Sequence, residues 1–340
     1  MKAVIDDKIP FIKGAVETLV DEVVYLRGSA ITSADVRDAD ILIVRTRTCC
    51  NRDLLQGSKV RLVVTATIGY DHIDTEYCRE AGIRWANCPG CNAASVRQYI
   101  HNSLLVLGLL CPGITIGVVG VGHVGELVAA DCRAAGMDTL LCDPLRRDRG
   151  ETFNGQPFVD MEEIARNADI VTFHTPLTHT GKYPTYHLAD SRFFDSLLRR
   201  PVLVNTSRGA VVDNEALLKA LCDGRVREAV VDTWENEPEI SAALLDKVAI
   251  GTPHIAGYSA DGKANATRMA LAVVCDFLGC ACTFDIQPPE LPEELRPTSD
   301  NPNERALQLY DPRVDSRRLK ACPSEFEHFR GNYALRREFE

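Results

Sequence analysis

Three residues of the chain have side chains and settings suited to proton transfer on a small anion. Arg208 lies in Val204-Asn205-Thr206-Ser207-Arg208-Gly209, Glu237 in Asp232-Thr233-Trp234-Glu235-Asn236-Glu237-Pro238, and His254 in Thr252-Pro253-His254-Ile255-Ala256-Gly257. A guanidinium at a strand end can grip a carboxylate through two parallel hydrogen bonds. An imidazole titrates near neutral pH and can take or return a proton during reaction. A neighbouring carboxylate would fix its tautomer and stabilise the imidazolium, and Glu237 and Glu235 compete for that place. Each residue also has a plainer reading: a surface ion pair for Arg208, a packed structural histidine for His254, a solvated loop acid for Glu237. As a set they offer a cation for a carboxylate and a base for an adjacent hydroxyl. A hydride acceptor would complete the requirements for oxidising a 2-hydroxy acid.

The segment Ile114–Leu127, ITIGVVGVGHVGEL, supplies the setting for that acceptor. Alternating apolar residues of strand type run into Gly120-Val121-Gly122-His123-Val124-Gly125, and a helix follows. This is G-x-G-x-x-G between a strand and a helix, the context in which the motif signifies a dinucleotide site. Gly120 permits the turn, Gly122 lets a pyrophosphate approach the backbone, and Gly125 lets the helix pack on the strand. The helix N-terminus presents free N–H groups to the phosphates. A second strand ends in Asp143, which would accept hydrogen bonds from an NAD ribose and repel the 2′-phosphate of NADP. Arg146, Arg147 and Arg149 follow, and an arginine there can serve a 2′-phosphate; the acid at the strand end favours NAD.

The elements that must position these residues read as two α/β units. Before the glycine loop, strands are expected at Ala3–Asp6, Val23–Leu26, Ile41–Val44, Leu62–Ala66 and Arg84–Asn87, with helices at Phe11–Leu19, Ser33–Asp38 and Asp74–Ala81. A long apolar helix, Ala93–Leu110, separates them from the glycine loop. Beyond the loop, strands at Ile170–Phe173, Val202–Asn205, Glu228–Val231 and Val248–Ile250 alternate with helices. Alternation of this kind implies parallel sheets. Thr175, Arg208, Asp232 and His254 all fall just past strand ends, where ligands bind in open α/β sheets. The helix Ala264–Leu278 has no strand left to serve in the second unit and is expected to pack back on the first. Pro288–Pro302 reads as an extended arm.

Composition narrows the function further. The chain has 340 residues, a net charge of −10, 45% hydrophobic and 25% charged residues. Its length asks for two or three domains, and its negative charge argues against a nucleic-acid partner. No targeting segment and no membrane span are evident. Thirteen cysteines without a signal peptide suggest free thiols in the cytoplasm. Cys88-Pro89-Gly90-Cys91 has C-x-x-C spacing, but no second ligand pair follows, so a Pro-Gly turn with incidental thiols is expected and no metal.

With the glycine loop, N-x-x-R-G, D-x-x-E-x-E-P and T-P-H-I-A-G resemble the D-2-hydroxyacid dehydrogenase family over roughly residues 40–280. The resemblance implies an NAD-dependent enzyme of α/β class built from two doubly wound parallel-sheet domains. A flavodoxin-like substrate domain, residues 1–92 and 257–283, would carry an inserted Rossmann domain, residues 93–256. Further stretches, Thr65–His72, Pro89–Ala93, Leu141–Pro144, Thr172–Leu177 and His254–Ser259 with Gly262-Lys263, resemble the branch that acts on a 4-phosphorylated four-carbon acid in pyridoxal 5′-phosphate biosynthesis. That branch implies a small α+β dimerisation domain, here 284–340, and hence a homodimer.

By the same resemblance Arg208 would bind the substrate carboxylate and 2-oxygen, Glu237 would orient His254, and His254 would be the acid/base. Thr46, Thr67 and Tyr258 would contact substrate. The loop residues Gly120, Gly122, His123, Val124 and Gly125 would bind the cofactor, with Asp143 on the ribose and Thr175, Asp232 and Gly257 lining the nucleotide. Arg45 and Arg47 flank Thr46 as candidate cations for the substrate phosphate. Gln98 departs from the Glu that many relatives carry. The alternatives are a sibling dehydrogenase of phosphoglycerate, hydroxypyruvate, glyoxylate or lactate, and an NAD-sensing corepressor-like scaffold, which would keep the same three residues.

Overall fold

A computed structural model describes residues 1–334 and 336–339. The chain divides into two units: Met1–Asn92 with Ser259–Glu290, and Ala93–Tyr258 with Leu291–Glu340.

The first unit holds five parallel strands, β1 (Lys2–Asp6), β2 (Glu22–Leu26), β3 (Ile41–Val44), β4 (Leu62–Thr65) and β5 (Arg84–Ala86), in the order β2-β1-β3-β4-β5. β3 and β4 are buried along their whole length, because a parallel sheet covered on both faces asks for unbroken apolar strands. The order reverses between β1 and β3, which opens a crevice at their carboxyl ends. The helix Ala260–Leu278 sets Ala266, Ala270, Leu271 and Val274 into the core formed by Ala3, Ile5, Ile43 and Val64. It starts earlier than its apolar pattern suggests because the Ser259 hydroxyl accepts a hydrogen bond from the Gly262 amide.

One expected helix, Phe11–Leu19, does not form. Only the turn Val16–Thr18 is helical. Phe11 and Gly14 take positive φ, 61° and 88°, which a right-handed helix cannot accommodate. The Glu17 carboxylate instead accepts from the Gly14 amide and the Tyr25 hydroxyl.

The second unit holds six parallel strands, β6 (Thr115–Val119), β7 (Asp138–Cys142), β8 (Ile170–Phe173), β9 (Val202–Asn205), β10 (Glu228–Val231) and β11 (Ile250–Gly251), in the order β11-β10-β9-β8-β6-β7. The reversal between β6 and β8 puts the glycine loop at the switch point. The helix Ala93–Val106 buries Ser95, Gln98 and Asn102 completely. Their i, i+3, i+7 spacing makes one polar stripe on an otherwise apolar helix.

That stripe receives the C-terminal segment. Asn102 donates to the carbonyls of Ala306 and Tyr310 at 3.0 and 2.6 Å. The segment forms the helices Pro302–Leu309, Pro312–Ala321 and Phe326–Gly331, the first two opened by Asn301 and Asp311 caps followed by proline. Leu319 and Phe326 enter the core beside Phe173 and Trp234, and the Ser316 hydroxyl accepts from the Gly251 amide on edge strand β11. The regular elements of the segment among the described residues are these helices, two short turns of 3-10 helix and one bridge residue at Arg336, and residues from Leu291 onward belong to the second unit. Among the described residues, no helix is long and apolar enough to cross a membrane.

Candidate active site

The glycine loop follows β6 directly. Gly120 takes φ +86° and donates to Cys142 O at 2.8 Å. A Cβ there would lie 2.8 Å from the His174 carbonyl, and one on Gly125 would lie 2.1 Å from Gly120 O. The chain's own backbone thus demands glycine at both positions. At Gly122 nothing lies within 4 Å of a Cβ. Gly122 caps the helix His123–Ala134, so open space adjoins the free amides of a helix start, the first turn of which carries His123 and Val124. Past β8 and β9, the buried hydroxyls of Thr175 and Thr206 have no protein partner. His174 bonds to the Thr172 hydroxyl at 3.0 Å, and burial pushes its pKa down to about 3, so it is neutral at physiological pH.

Asp143 closes β7 and ties the loop down. Its carboxylate accepts from Val121 N and Arg146 N, each at 3.1 Å. Arg146 does not face outward as a phosphate ligand: its guanidinium donates to Val121 O at 2.5 Å, Glu126 at 2.6 Å and Glu151 at 2.8 Å. Arg149 is likewise held by Glu151. The open helix start, the unpartnered hydroxyls and the acid at the strand end fit a dinucleotide with an unphosphorylated ribose.

Arg208 is placed by the turn after β9. Buried Asn205 donates to Arg208 O at 3.0 Å and accepts from the Ser207 amide and hydroxyl at 3.1 and 2.9 Å. Gly209 must be glycine, since a Cβ would sit 1.8 Å from Trp234 O. The N-x-x-R-G pattern is therefore a turn built by its asparagine and pressed against the Glu237 loop by its glycine. The Arg208 guanidinium donates to Ser207 O at 2.8 Å and is partly exposed.

His254 and Glu237 meet. Nδ1 of His254 lies 2.8 Å from Oε2 and 3.1 Å from Oε1 of Glu237, and Oε1 also accepts from Trp234 N at 2.9 Å. Burial pushes the Glu237 pKa up, but the His254 charge and hydrogen bond, the Trp234 amide and nearby Arg330 outweigh it and hold the carboxyl below its ordinary range. Glu235, the competing acid, is used elsewhere: it bonds His187 Nε2 at 2.7 Å and accepts from Asn214 N at 2.8 Å. His187 Nδ1 faces Asp213 at 3.7 Å. The two acids address opposite nitrogens of one imidazole, and the three residues each offer a ligand atom within 4.8 Å of the others.

His254 takes φ +57°, in the left-handed region that non-glycine residues rarely visit. Asp232, 1% exposed, holds the turn in that shape. Oδ1 accepts from Ile255 N at 2.8 Å and the Thr252 hydroxyl at 2.6 Å, and Oδ2 accepts from Ala256 N at 2.9 Å. Because Thr252 gives its proton to Asp232, the Tyr99 hydroxyl must donate to Thr252, at 2.7 Å. Burial raises the Asp232 pKa in spite of these contacts. The turn continues through Gly257, and Tyr258 N donates to Ile255 O at 2.8 Å.

Two residues that sequence reasoning missed come from the C-terminal segment. Arg330 Nη1 stands 3.6 Å from Glu237 Oε2, with the Tyr258 side chain in hydrogen-bonding contact. Arg336, 7% exposed, donates to Ile255 O at 3.1 Å and Ala256 O at 2.6 Å. It also meets Gln98 Oε1, Ser95 Oγ and the Tyr310 ring. The detectable signal was the Ser95/Gln98/Asn102 stripe, which asks for a polar partner.

In the first unit, β3 stops at Val44, so Arg45, Thr46 and Arg47 lie in the loop beyond it. Arg45 pairs with buried Asp6 at 3.2 Å. Arg47 is exposed and lines an open cleft of about 340 Å³ with Ser29, Thr48 and Asn51. Thr46 is exposed beside it. The Thr67 hydroxyl donates to Gly69 O at 2.8 Å and is bonded to the Thr65 hydroxyl at 2.7 Å. Cys88 is buried, donates to the carbonyls of Thr65 and Ala266, and has its thiol pKa pushed up to about 12, so it packs as a thiol.

Residues 93–256 match the D-isomer specific 2-hydroxyacid dehydrogenase NAD binding domain. The chain is 54% identical to the erythronate-4-phosphate dehydrogenase of Bacteroides thetaiotaomicron, over 99% of this chain and 97% of that one. It is 42% identical to the protein of that name from Porphyromonas gingivalis, over 100% and 94%. Among solved structures, the D-lactate dehydrogenase of Aquifex aeolicus complexed with NAD and lactic acid aligns with a TM-score of 0.67 at 24% identity, covering 82% of this chain and 96% of that one.

Proposed function

The chain belongs to the D-isomer specific 2-hydroxyacid dehydrogenase family, and on that footing we propose that it oxidises 4-phospho-D-erythronate at C2 to 3-hydroxy-2-oxo-4-phosphooxybutanoate, a step of pyridoxal 5′-phosphate biosynthesis. The observation that carries the chemistry is the contact of His254 Nδ1 with Glu237 at 2.8 Å. With Nδ1–H donated to the carboxylate, the proton-free nitrogen is Nε2, the nitrogen a base must use.

NAD, when bound, accepts the C2 hydride. Gly120, Gly122, His123, Val124 and Gly125 would cradle its pyrophosphate, Asp143 its ribose, and Thr175, Asp232 and Gly257 the remainder. Arg208 grips the substrate carboxylate and the 2-oxygen with its forked donors. His254 Nε2 takes the hydroxyl proton as the C2–O bond becomes a carbonyl, and Glu237 stabilises the imidazolium. Thr46, Thr67 and Tyr258 are assigned to substrate. Arg45 and Arg47, which flank Thr46, are the candidate cations for the 4-phosphate; Arg47 is exposed and lines the cleft beside Thr48.

The relatives' shared name favours the phosphorylated acid. The free state of all thirteen cysteines supports a reducing, cytoplasmic setting. A homodimer belongs to the same proposal, and analytical ultracentrifugation tests it. The deciding experiment follows NAD reduction with 4-phosphoerythronate and with unphosphorylated 2-hydroxy acids. Turnover confined to the unphosphorylated acids would refute the substrate assignment. His254→Ala should cut turnover roughly 10²–10⁴-fold while NAD still binds; turnover that survives refutes the base.

A further inference from the structure

We propose that the C-terminal segment completes the acid–base site, with Arg336 fixing the His254 turn and Arg330 setting the charge balance on Glu237. This rests on the reading of His254 and Glu237 as the acid–base pair.

The two residues that follow His254 are held from both sides. Their amides are gripped by Asp232 and their carbonyls by Arg336. A left-handed histidine persists only where its surroundings over-determine it, and this pair of opposed charges does so. A buried guanidinium is costly unless its donors are met. Here they meet Gln98 Oε1, Ser95 O and Oγ, Tyr333 Oη and the two turn carbonyls, and Tyr310 stacks 4.0 Å below. Gln98 also donates to Arg337 O at 3.0 Å, which an ionised Glu could not do. The amide at position 98 is thereby matched to the tail.

Arg330 acts on charge. It stands 3.6 Å from Glu237 and 3.7 Å from Glu327, and it contacts Tyr258. The groups that face the pair are Asp232 and Glu237, which favour the imidazolium, and Arg330, which opposes it. Arg336 acts on Asp232, while Glu327 and Tyr258 temper Arg330. Removing Arg330 takes a cation from beside Glu237 and leaves its carboxylate to His254 and the Trp234 amide, which strengthens its support of the imidazolium.

The test uses the full chain carrying Arg330→Gln, Arg330→Lys, Arg336→Gln or Arg336→Lys. Folding is checked by circular dichroism and NAD affinity by titration. The acid limb of kcat/KM for oxidation should move up by about half a pH unit or more in Arg330→Gln, and Arg330→Lys should restore it. Arg336→Lys, which keeps the charge and loses the fork, should lower kcat roughly tenfold with NAD affinity nearly unchanged; it stands in for Arg336→Gln if that variant fails to fold. An acid limb unmoved in Arg330→Gln, or wild-type kcat in Arg336→Lys, overturns the inference while an inactive His254→Ala leaves the acid–base reading standing. Turnover surviving in His254→Ala overturns both.

Discussion

The Asp232 carboxylate accepts the amide proton of Ile255 at 2.8 Å, one residue beyond His254. With the Thr252 hydroxyl and the Ala256 amide on the same carboxylate, Asp232 is the hub of the turn that presents the histidine. Asp232→Asn removes one acceptor and sets an amide donor against backbone N–H groups. It should cost about 1–3 kcal/mol of stability and reduce kcat more than NAD affinity. Urea titration beside steady-state kinetics checks this, and an unchanged kcat would remove Asp232 from the positioning of His254.

Gly209→Ala should be severe for a residue with no side chain. Its Cβ would overlap Trp234 O at 1.8 Å, forcing apart the Arg208 turn and the Glu237 loop. A loss of about 1–3 kcal/mol is expected from such overpacking. Because the glycine loop lies on other strand ends, NAD affinity should survive while KM for the hydroxy acid rises.

Cofactor choice should resist simple conversion. Asp143→Ser removes the negative charge from the proposed ribose site but leaves Arg146 bound to Glu126 and Glu151. NAD kcat/KM should fall about tenfold or more, and NADP should gain little. A large NADP gain from this single change would show that Arg146 or Arg147 reorients readily.

Glu237→Gln gives a pH signature in stability. The native carboxyl titrates below its ordinary value, despite burial, because of His254, Trp234 N and Arg330. Its contribution is therefore present above the unfolded pKa of about 4.3 and is lost as pH falls through the depressed native value. The stability gap between wild type and Glu237→Gln should be wide above about pH 5 and should close in acid. A gap independent of pH would rule out the charge coupling.

The sequence carries its parallel strands openly. β3, β4, β8 and β9 are short runs dominated by Ile, Val and Leu and buried along their whole length, as strands of a sheet covered on both faces must be. The glycine loop and Asp143 were legible because spacing alone places them. The choice between Glu235 and Glu237 was not, since a single residue separates them and only the fold sends one to Asn214 and the other to His254. The region Phe11–Leu19 misled because its apolar spacing is helical while its backbone turns through positive φ. Arg336 lies 238 positions from Gln98; no local pattern announces such a partner, and only the buried polar stripe on the helix Ala93–Val106 hints that one must arrive.

The grip of Arg336 on Ile255 O and Ala256 O also has a temporal side. A ribosome delivers this chain from its N-terminus, and domains begin to fold as they emerge. The glycine loop, the six strands and the His254 turn are all made well before Arg336. A nascent chain can thus close its nucleotide sheet while the carbonyls beyond its histidine still lack their guanidinium, and the turn is complete only once Arg336 has followed.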